Sequence, residues 1–190
     1  PAWHLGSVPH MRAAEVGYDQ AAEDALLAGV DWESDGYSLF TIATFAGSSW
    51  RGIFGPMGES SSLFLPSAMW HELGGLDEAF DLPGGGLVNH DLYRRACALR
   101  GMRLIEVIGE GTFHQYHGGA ATSQRLGWAE MHDQYRSIRG ERYRPPDLSP
   151  LYVGHVHPAV LPHLEASARI AAEGFRRPGP DQGASAAGSA

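Results

Sequence analysis

The chain has 190 residues, of which 43% are hydrophobic and 19% charged, and its formal net charge is −8 at pH 7. These values are typical of one globular domain with a packed core. The negative charge excludes a general nucleic-acid binder, which needs basic residues against the phosphates, and no apolar run is long enough to span a membrane. The single cysteine, Cys97, cannot form an internal disulfide, so we expect a cytoplasmic protein.

The first third of the chain predicts a helix followed by two strands. Residues 11–30 carry alanine and leucine at helical spacing, which predicts a helix that Gly17 weakens. Aromatic and β-branched residues at 37–45 predict a strand. Glycine and serine at 46–61 predict a loop, and the apolar residues at 62–65 predict a short buried strand.

The remaining chain alternates between helices and a strand. Ser67 and Gly74 delimit a short helix, and Asn89 is placed to cap the next one. The alternation indicates an α/β domain over residues 1–175, whereas proline, glycine, alanine and serine at 176–190 predict a disordered tail. The predicted elements of this part are helices over 67–73, 90–100, 124–138 and 159–175 and a strand over 102–108.

Two histidines follow the strand at 102–108, in the stretch GTFHQYHGG at 111–119. Ligand sites collect at strand ends in open α/β sheets, and neutral imidazole is a common ligand of first-row metals. His114 is therefore a candidate metal ligand, and His117 can bind metal, phosphate or a sugar hydroxyl. Two histidines at this spacing also fit a loop held by backbone hydrogen bonds. The sequence shows no third ligand at the tight spacing of a zinc site.

The order of motifs resembles the second half of a glycosyltransferase with the GT-A fold, of the family-two type. The matching stretches are GGLDEAF at 74–80, the glycine triplet at 84–86, NHDLYRR at 89–95 and the histidine loop with His114. The resemblance covers roughly residues 55–120. It implies a mixed sheet flanked by helices. Its Gly-Gly-x-Asp-Glu element is a weak signal alone and fairly specific in this order and spacing.

The resemblance implies an enzyme that moves a sugar, such as a hexose, from a nucleotide-sugar donor to a hydroxyl of a glycan or small-molecule acceptor. Mn²⁺ or Mg²⁺ would bridge the donor diphosphate and neutralise the leaving group, and His114 matches the histidine that completes this metal site. Such enzymes carry an Asp-x-Asp metal motif in an N-terminal half. We find no convincing counterpart, so we expect the chain to be the acceptor-side half of a longer enzyme, truncated at its N-terminus.

The general base is the main departure from the family pattern. Val88 and Asn89 stand where the family usually has Glu-Asp, and an amide cannot deprotonate an acceptor hydroxyl. Our hypothesis is that Asp91 takes this role from a nearby position on the same helix. The alternatives are another base, a retaining mechanism, an inactive protein, or an Asp91 that only stabilises the start of its helix.

Other polar residues of this region are candidates for substrate binding, because carboxylates accept hydrogen bonds from sugar hydroxyls. The same carboxylates also fit exposed charges of turns. The candidates are Asp77, Glu78, Glu59, Asn89 and His117.

Two other classes of function stay open. A metal-dependent hydrolase could use His114, His117 and Asp91 around one ion with an activated water. A non-catalytic carbohydrate-binding module would fit Asn89 and the missing Asp-x-Asp. Nucleotide dependence separates the transferase from the hydrolase, because only the transferase requires a nucleoside diphosphate.

Overall fold

The computed structural model describes residues 1–55, 62–117 and 127–174. These residues form a mixed α/β structure of short strands and helices, which confirms the predicted class. Short 3-10 helices connect several of the elements. The strands are β1 (Ala2–Leu5), β2 (Ala43–Phe45), β3 (Ile105–Val107), β4 (Thr112–His114) and β5 (Leu151–Val153), and the α-helices are α1 (Gln20–Ala28), α2 (Ser67–Leu73), α3 (Val88–Cys97), α4 (Trp128–Arg139) and α5 (Leu161–Ala172).

A three-stranded mixed sheet has the order β2-β1-β4. Strand β1 runs antiparallel to β2 and parallel to β4, with Trp3 opposite Phe113 and His4 opposite His114. Because parallel strands end at the same edge of a sheet, the pairing brings the last residues of β1 and β4 together. The sheet thus places two histidines side by side that are far apart in the sequence.

A second, two-stranded sheet pairs β3 with β5 in parallel. Its side chains alternate between the two faces, as the pleat requires. Ile105 and Val107 are exposed on one face, whereas Glu106 between them is buried on the other. The covered face of this sheet therefore carries a buried carboxyl group.

Two hydrophobic clusters form the core of the described part of the chain. Trp3 is fully buried and packs edge-on against Phe40, with ring centroids 5.0 Å apart. A side chain at Gly111 would overlap the Trp3 ring, so glycine is needed at the position just before β4. The second cluster lies where α4 packs near the start of α3 and consists of Phe80, Leu87, Met131, Tyr135 and Tyr143.

The strand predicted at 37–45 is wrong for most of its length. Gly36–Ile42 is a 3-10 helix, because the Asp35 carboxylate accepts a hydrogen bond from the Tyr37 amide at 3.0 Å and starts a turn there. Phe40 is turned into the core, and only β2 is extended.

The single helix predicted near the N-terminus is two helices. A 3-10 helix, His10–Val16, ends at Gly17, whose left-handed backbone (φ 64°) stops it. Asp19 then caps α1 by accepting a hydrogen bond from the Ala22 amide at 3.0 Å.

The predictions for the second half differ in their accuracy. Helix α2 matches its predicted range and ends at Gly74 in the left-handed conformation, whereas residues 62–65 are not a strand. Asn89 lies inside the first turn of α3 and is not its cap. His114 is the last residue of β4, a strand that the sequence did not predict.

The structure describes most of the last two predicted helices and none of the predicted tail. Helices α4 and α5 lie within their predicted ranges except that α4 extends one residue further, to Arg139. The tail at 176–190 lies outside the described residues. None of the helices in the described part of the chain combines the length and apolar character needed to cross a membrane.

Candidate metal centre

Three histidines meet at the edge of the sheet where β1 and β4 end. Ring nitrogens of His4, His10 and His114, one from each residue, all lie within 4.8 Å of one another. His4 and His10 stack with centroids 4.1 Å apart, and the His114 ring lies 5.3 Å from His4 and 5.7 Å from His10. We call His4, His10, His114 and the adjacent His117 the histidine cluster.

His117 extends the cluster on its open side. Its Nε2 atom lies 3.3 Å from Nε2 of His114, and both side chains are exposed. This distance fits a hydrogen bond between two neutral imidazoles. It also fits two corners of a tetrahedral metal site, whose ligand atoms are about 3.3–3.4 Å apart when each metal–nitrogen bond is about 2.0–2.1 Å.

Glu23 is a buried carboxylate next to the histidine cluster. It lies on α1, is fully buried, and its two oxygens accept hydrogen bonds from the Tyr116 amide at 3.0 and 2.8 Å. The Tyr18 hydroxyl donates to it at 3.3 Å, and burial together with this carboxylate raises the pKa of Tyr18. Nε2 of His10 lies 3.7 Å from Glu23. One buried carboxylate therefore connects α1 to the segment after β4 and lies close to His10.

The surroundings keep the buried imidazoles neutral. Burial, followed by the nearby His10 and His114, lowers the pKa of His4 to about 3. Burial also lowers the pKa of His10, against the opposing effect of its hydrogen bond to the Leu5 carbonyl. Neutral imidazole is the form that binds metal ions.

An open cleft of 710 Å³ lies beside the cluster. Tyr18 belongs to both, because it lines the cleft and stacks on His10 with centroids 5.5 Å apart. The rest of the lining is largely apolar and includes Gly6, Val16, Leu26, Thr41 and Ile42.

Asp91 lies in a different setting from the histidines. It is 1% exposed, and its carboxylate accepts hydrogen bonds from Arg95 at 2.7 Å and from Arg139 at 2.7 and 2.8 Å. Burial by itself raises the pKa of this carboxyl group, but the hydrogen bonds from Arg139 and Arg95 outweigh burial and hold it below the usual value. A carboxylate that two guanidinium groups occupy is a weak base, so this geometry favours a structural role.

Asp77 belongs to the same ion network. It accepts hydrogen bonds from the Ala79 amide at 3.0 Å and from Arg139 at 2.6 Å. These two interactions, in that order of size, lower the pKa of Asp77. We call Asp77, Asp91, Arg95 and Arg139 the arginine–aspartate network.

The remaining predicted site residues are placed as follows. Glu78 and Asn89 are exposed, one next to Asp77 and the other on the first turn of α3. Glu59 lies outside the described residues. The residues of the network and their hydrogen-bond partners lie on α2, α3, α4 and the turn after α2. Those of the histidine cluster lie on β1, β4 and α1 and in the segments that follow the two strands. The predicted site residues are therefore divided between two places.

Sequence reasoning missed His4, His10 and Glu23. The signal that could have found His4 is the largely apolar stretch at Ala2–Leu5, which is a strand that contains it. Four residues are too few for a periodic pattern to reveal such a strand.

The chain shows no significant similarity to any family model, curated protein or solved structure with which it was compared. The interpretation of the site therefore depends on the residues themselves and on the order of their motifs.

Proposed function

We propose that this chain is the acceptor-side part of a metal-dependent glycosyltransferase with a GT-A-like fold, which acts in the cytoplasm on a nucleotide-sugar donor. One observation carries the proposal. His114, the residue to which the motif order assigns the metal, has a ring nitrogen within 4.8 Å of ring nitrogens of His4 and His10. The expected ligand thus lies in a group of metal-binding side chains that the motif order did not include.

The cation would be held by His114 with its imidazole neighbours, and when bound it would neutralise the diphosphate of the donor. Imidazole nitrogen suits Mn²⁺ better than Mg²⁺, because Mg²⁺ is bound through oxygen ligands and water. The exposed side of the cluster, at His114 and His117, leaves room for the phosphates.

The arginine–aspartate network would support the acceptor side. Arg139 joins Asp77 to Asp91 and so fixes the turn after α2 against α3. Glu78 and Asn89 are exposed close to this network along the chain, where acceptor hydroxyls can reach them. Asp91 is then a positioning residue and not the general base.

A metal-dependent hydrolase is the second candidate. The grouping of three imidazoles in one chain favours it, because catalytic zinc sites use three protein ligands and a water. The version in which Asp91 joins His114 and His117 at one ion is disfavoured by the two arginines on Asp91.

Metal-dependent binding of a nucleoside diphosphate tests the proposal. UDP, GDP and dTDP would each be titrated calorimetrically into the complete encoded protein, with and without Mn²⁺. We expect one of them to bind only with Mn²⁺, to lose binding in His114→Ala, and to keep it in His71→Ala, which removes an exposed histidine of α2. Metal binding with no nucleotide binding would overturn the proposal in favour of the hydrolase.

A further inference from the structure

We infer that His10 is a ligand of the metal at His114, through its Nδ1 atom, that the Leu5 carbonyl orients its ring, and that Glu23 positions the segment between His114 and His117. The site would take a transition metal such as Zn²⁺ or Co²⁺ without any nucleotide. This inference rests on the proposed function only for the metal at His114 and needs no sugar transfer.

The His10 ring contains a buried nitrogen atom that can bind a metal ion. The side chain is 1% exposed, and its Nδ1 atom is buried without a hydrogen bond to any described residue. Buried polar atoms normally have a partner, and an unsatisfied one calls for a reason such as a bound ion. One ring nitrogen each of His4 and His114 lies within 4.8 Å of a ring nitrogen of His10.

The contacts of His10 place the proton of its neutral ring on Nε2. Nε2 lies 3.2 Å from the Leu5 carbonyl oxygen and 3.7 Å from a Glu23 oxygen. A carbonyl oxygen only accepts hydrogen bonds, so Nε2 carries the proton and Nδ1 keeps its lone pair. Metal-binding histidines usually have this arrangement, with the second ring nitrogen donating to a carbonyl or carboxylate.

Glu23 touches two parts of the site. One of its oxygens lies 3.7 Å from Nε2 of His10. Its carboxylate also accepts hydrogen bonds from the amide of Tyr116, which lies between His114 and His117 in the chain. A buried carboxylate that borders one candidate ligand and holds the segment between the two others is a positioning residue for the cluster.

His4 has a different role in this arrangement. Its Nδ1 atom accepts a hydrogen bond from the His10 amide at 2.7 Å, so the proton of the neutral ring is on Nε2. His4 therefore holds the His10 backbone and stacks on its ring, with centroids 4.1 Å apart. It can become a ligand only by giving up this hydrogen bond, whereas Nδ1 of His10 gives up none.

The donor atoms set the class of metal. Imidazole suits zinc, cobalt, nickel and copper, whereas magnesium and calcium prefer oxygen. His117, whose Nε2 lies 3.3 Å from that of His114, is placed to supply a further nitrogen. The exposed side at these two residues leaves a position for water or an incoming ligand.

Cobalt absorption tests the inference without an activity assay. The metal-free chain would be titrated with Co²⁺ and the visible d–d bands recorded, with Zn²⁺ affinity measured by competition. We expect one Co²⁺ per chain, a loss of at least about 100-fold in affinity for His10→Gln, and a loss of about 10–100-fold for Glu23→Gln. His71→Ala should match the wild type. Unchanged affinity and spectrum in His10→Gln would overturn the inference.

A second variant covers the case in which His10→Gln fails to fold. His10→Cys places a thiolate where we expect the ligand atom, so Co²⁺ should give a near-ultraviolet sulfur-to-cobalt charge-transfer band that is absent from the wild type. A purely structural His10 gives no such band, and its absence in folded, cobalt-loaded His10→Cys overturns the assignment.

The results separate this inference from the proposed function. Cobalt binding that depends on His10, with no Mn²⁺-dependent nucleotide binding, supports the inference and removes the transferase. Nucleotide binding with Mn²⁺ in a chain that takes up no Co²⁺ or Zn²⁺ alone supports the transferase and overturns the inference.

Discussion

The arginine–aspartate network and the histidine cluster both bury ionisable groups, but the hydrogen bonding of those groups differs. In the network, both oxygens of Asp91 accept hydrogen bonds from guanidinium groups. In the cluster, one ring nitrogen of His10 is buried without a hydrogen bond to any described residue.

This difference distinguishes a buried group that stabilises the fold from a buried group that is available to a ligand. A buried charge whose partners are complete stabilises one arrangement and has no capacity left for a ligand. A buried lone pair that lacks a donor is costly in the protein alone, and the cost disappears when a ligand binds. The motif order drew attention to Asp91, whereas this comparison draws it to His10.

The largest expected effect is at the open end of the cluster. His114→Ala should abolish Mn²⁺-dependent nucleotide binding, because it removes the ligand on which both proposals depend. Since the side chain is exposed, the free energy of unfolding should change by less than about 1 kcal/mol. Calorimetry and urea unfolding measure the two quantities. A variant that keeps full metal-dependent binding would remove His114 from the site.

The next effect breaks the network. Arg139→Ala leaves Asp91 buried with one partner fewer, so we expect the free energy of unfolding to fall by about 3 kcal/mol. The matched control is Arg136→Ala on the same helix, whose ion pair with Asp133 is exposed and should be worth less than about 1 kcal/mol. Urea unfolding measures both, and equal effects in the two variants would contradict a structural network.

Glu106 provides a comparison with His10, because it is buried but lies outside the histidine cluster. Both Glu106 oxygens are buried without a hydrogen bond to any described residue, and burial raises the pKa of this carboxyl group to about 7. The folded state therefore favours the protonated acid, and stability is lost as the pH rises from the unfolded pKa through the folded one. Glu106→Gln should stabilise the chain by about 1–3 kcal/mol at pH 8 and change little at pH 4.

The Glu106→Gln variant also serves as a control for the metal. Glu106 lies on the second sheet, outside the histidine cluster, so its Co²⁺ affinity should equal that of the wild type. A weaker affinity would show that the two sheets depend on each other.

The smallest expected effect is on the loss of unfolding free energy at low pH. The folded-state pKa of Asp91 is lowered, so its contribution is complete above the unfolded value of 3.8 and is lost as the pH falls through the folded one. Asp91→Asn should therefore give a flatter curve of unfolding free energy below about pH 4, although it is less stable at pH 7. Parallel curves for the two proteins would contradict the depressed pKa.

The sequence predicted the features that depend on local patterns. Helix α2 and its glycine stop follow from residues that are neighbours in the chain, and α5 follows from its amphipathic spacing. Gly36–Ile42 was misassigned because its aromatic residues fit a strand, while the Asp35 turn and the burial of Phe40 decide its conformation.

The site was only half predictable for a related reason. His114 and His117 were found from their local spacing, but His4 and His10 join them only through the pairing of β1 with β4. Glu23 reaches the same place from α1, and its burial has no signature in an alanine-rich helix. Contacts between distant segments are what a single sequence reveals least.

The parallel pairing of β1 and β4 has a consequence for the order in which the protein assembles. These strands come from distant parts of the chain, and such long-range pairings are slow to form because the loop between them has to close first. The imidazoles cannot converge until that closure is complete. If Co²⁺ is present during refolding, its visible absorption bands would then appear only when β4 has docked beside β1, and they would report the time of that step.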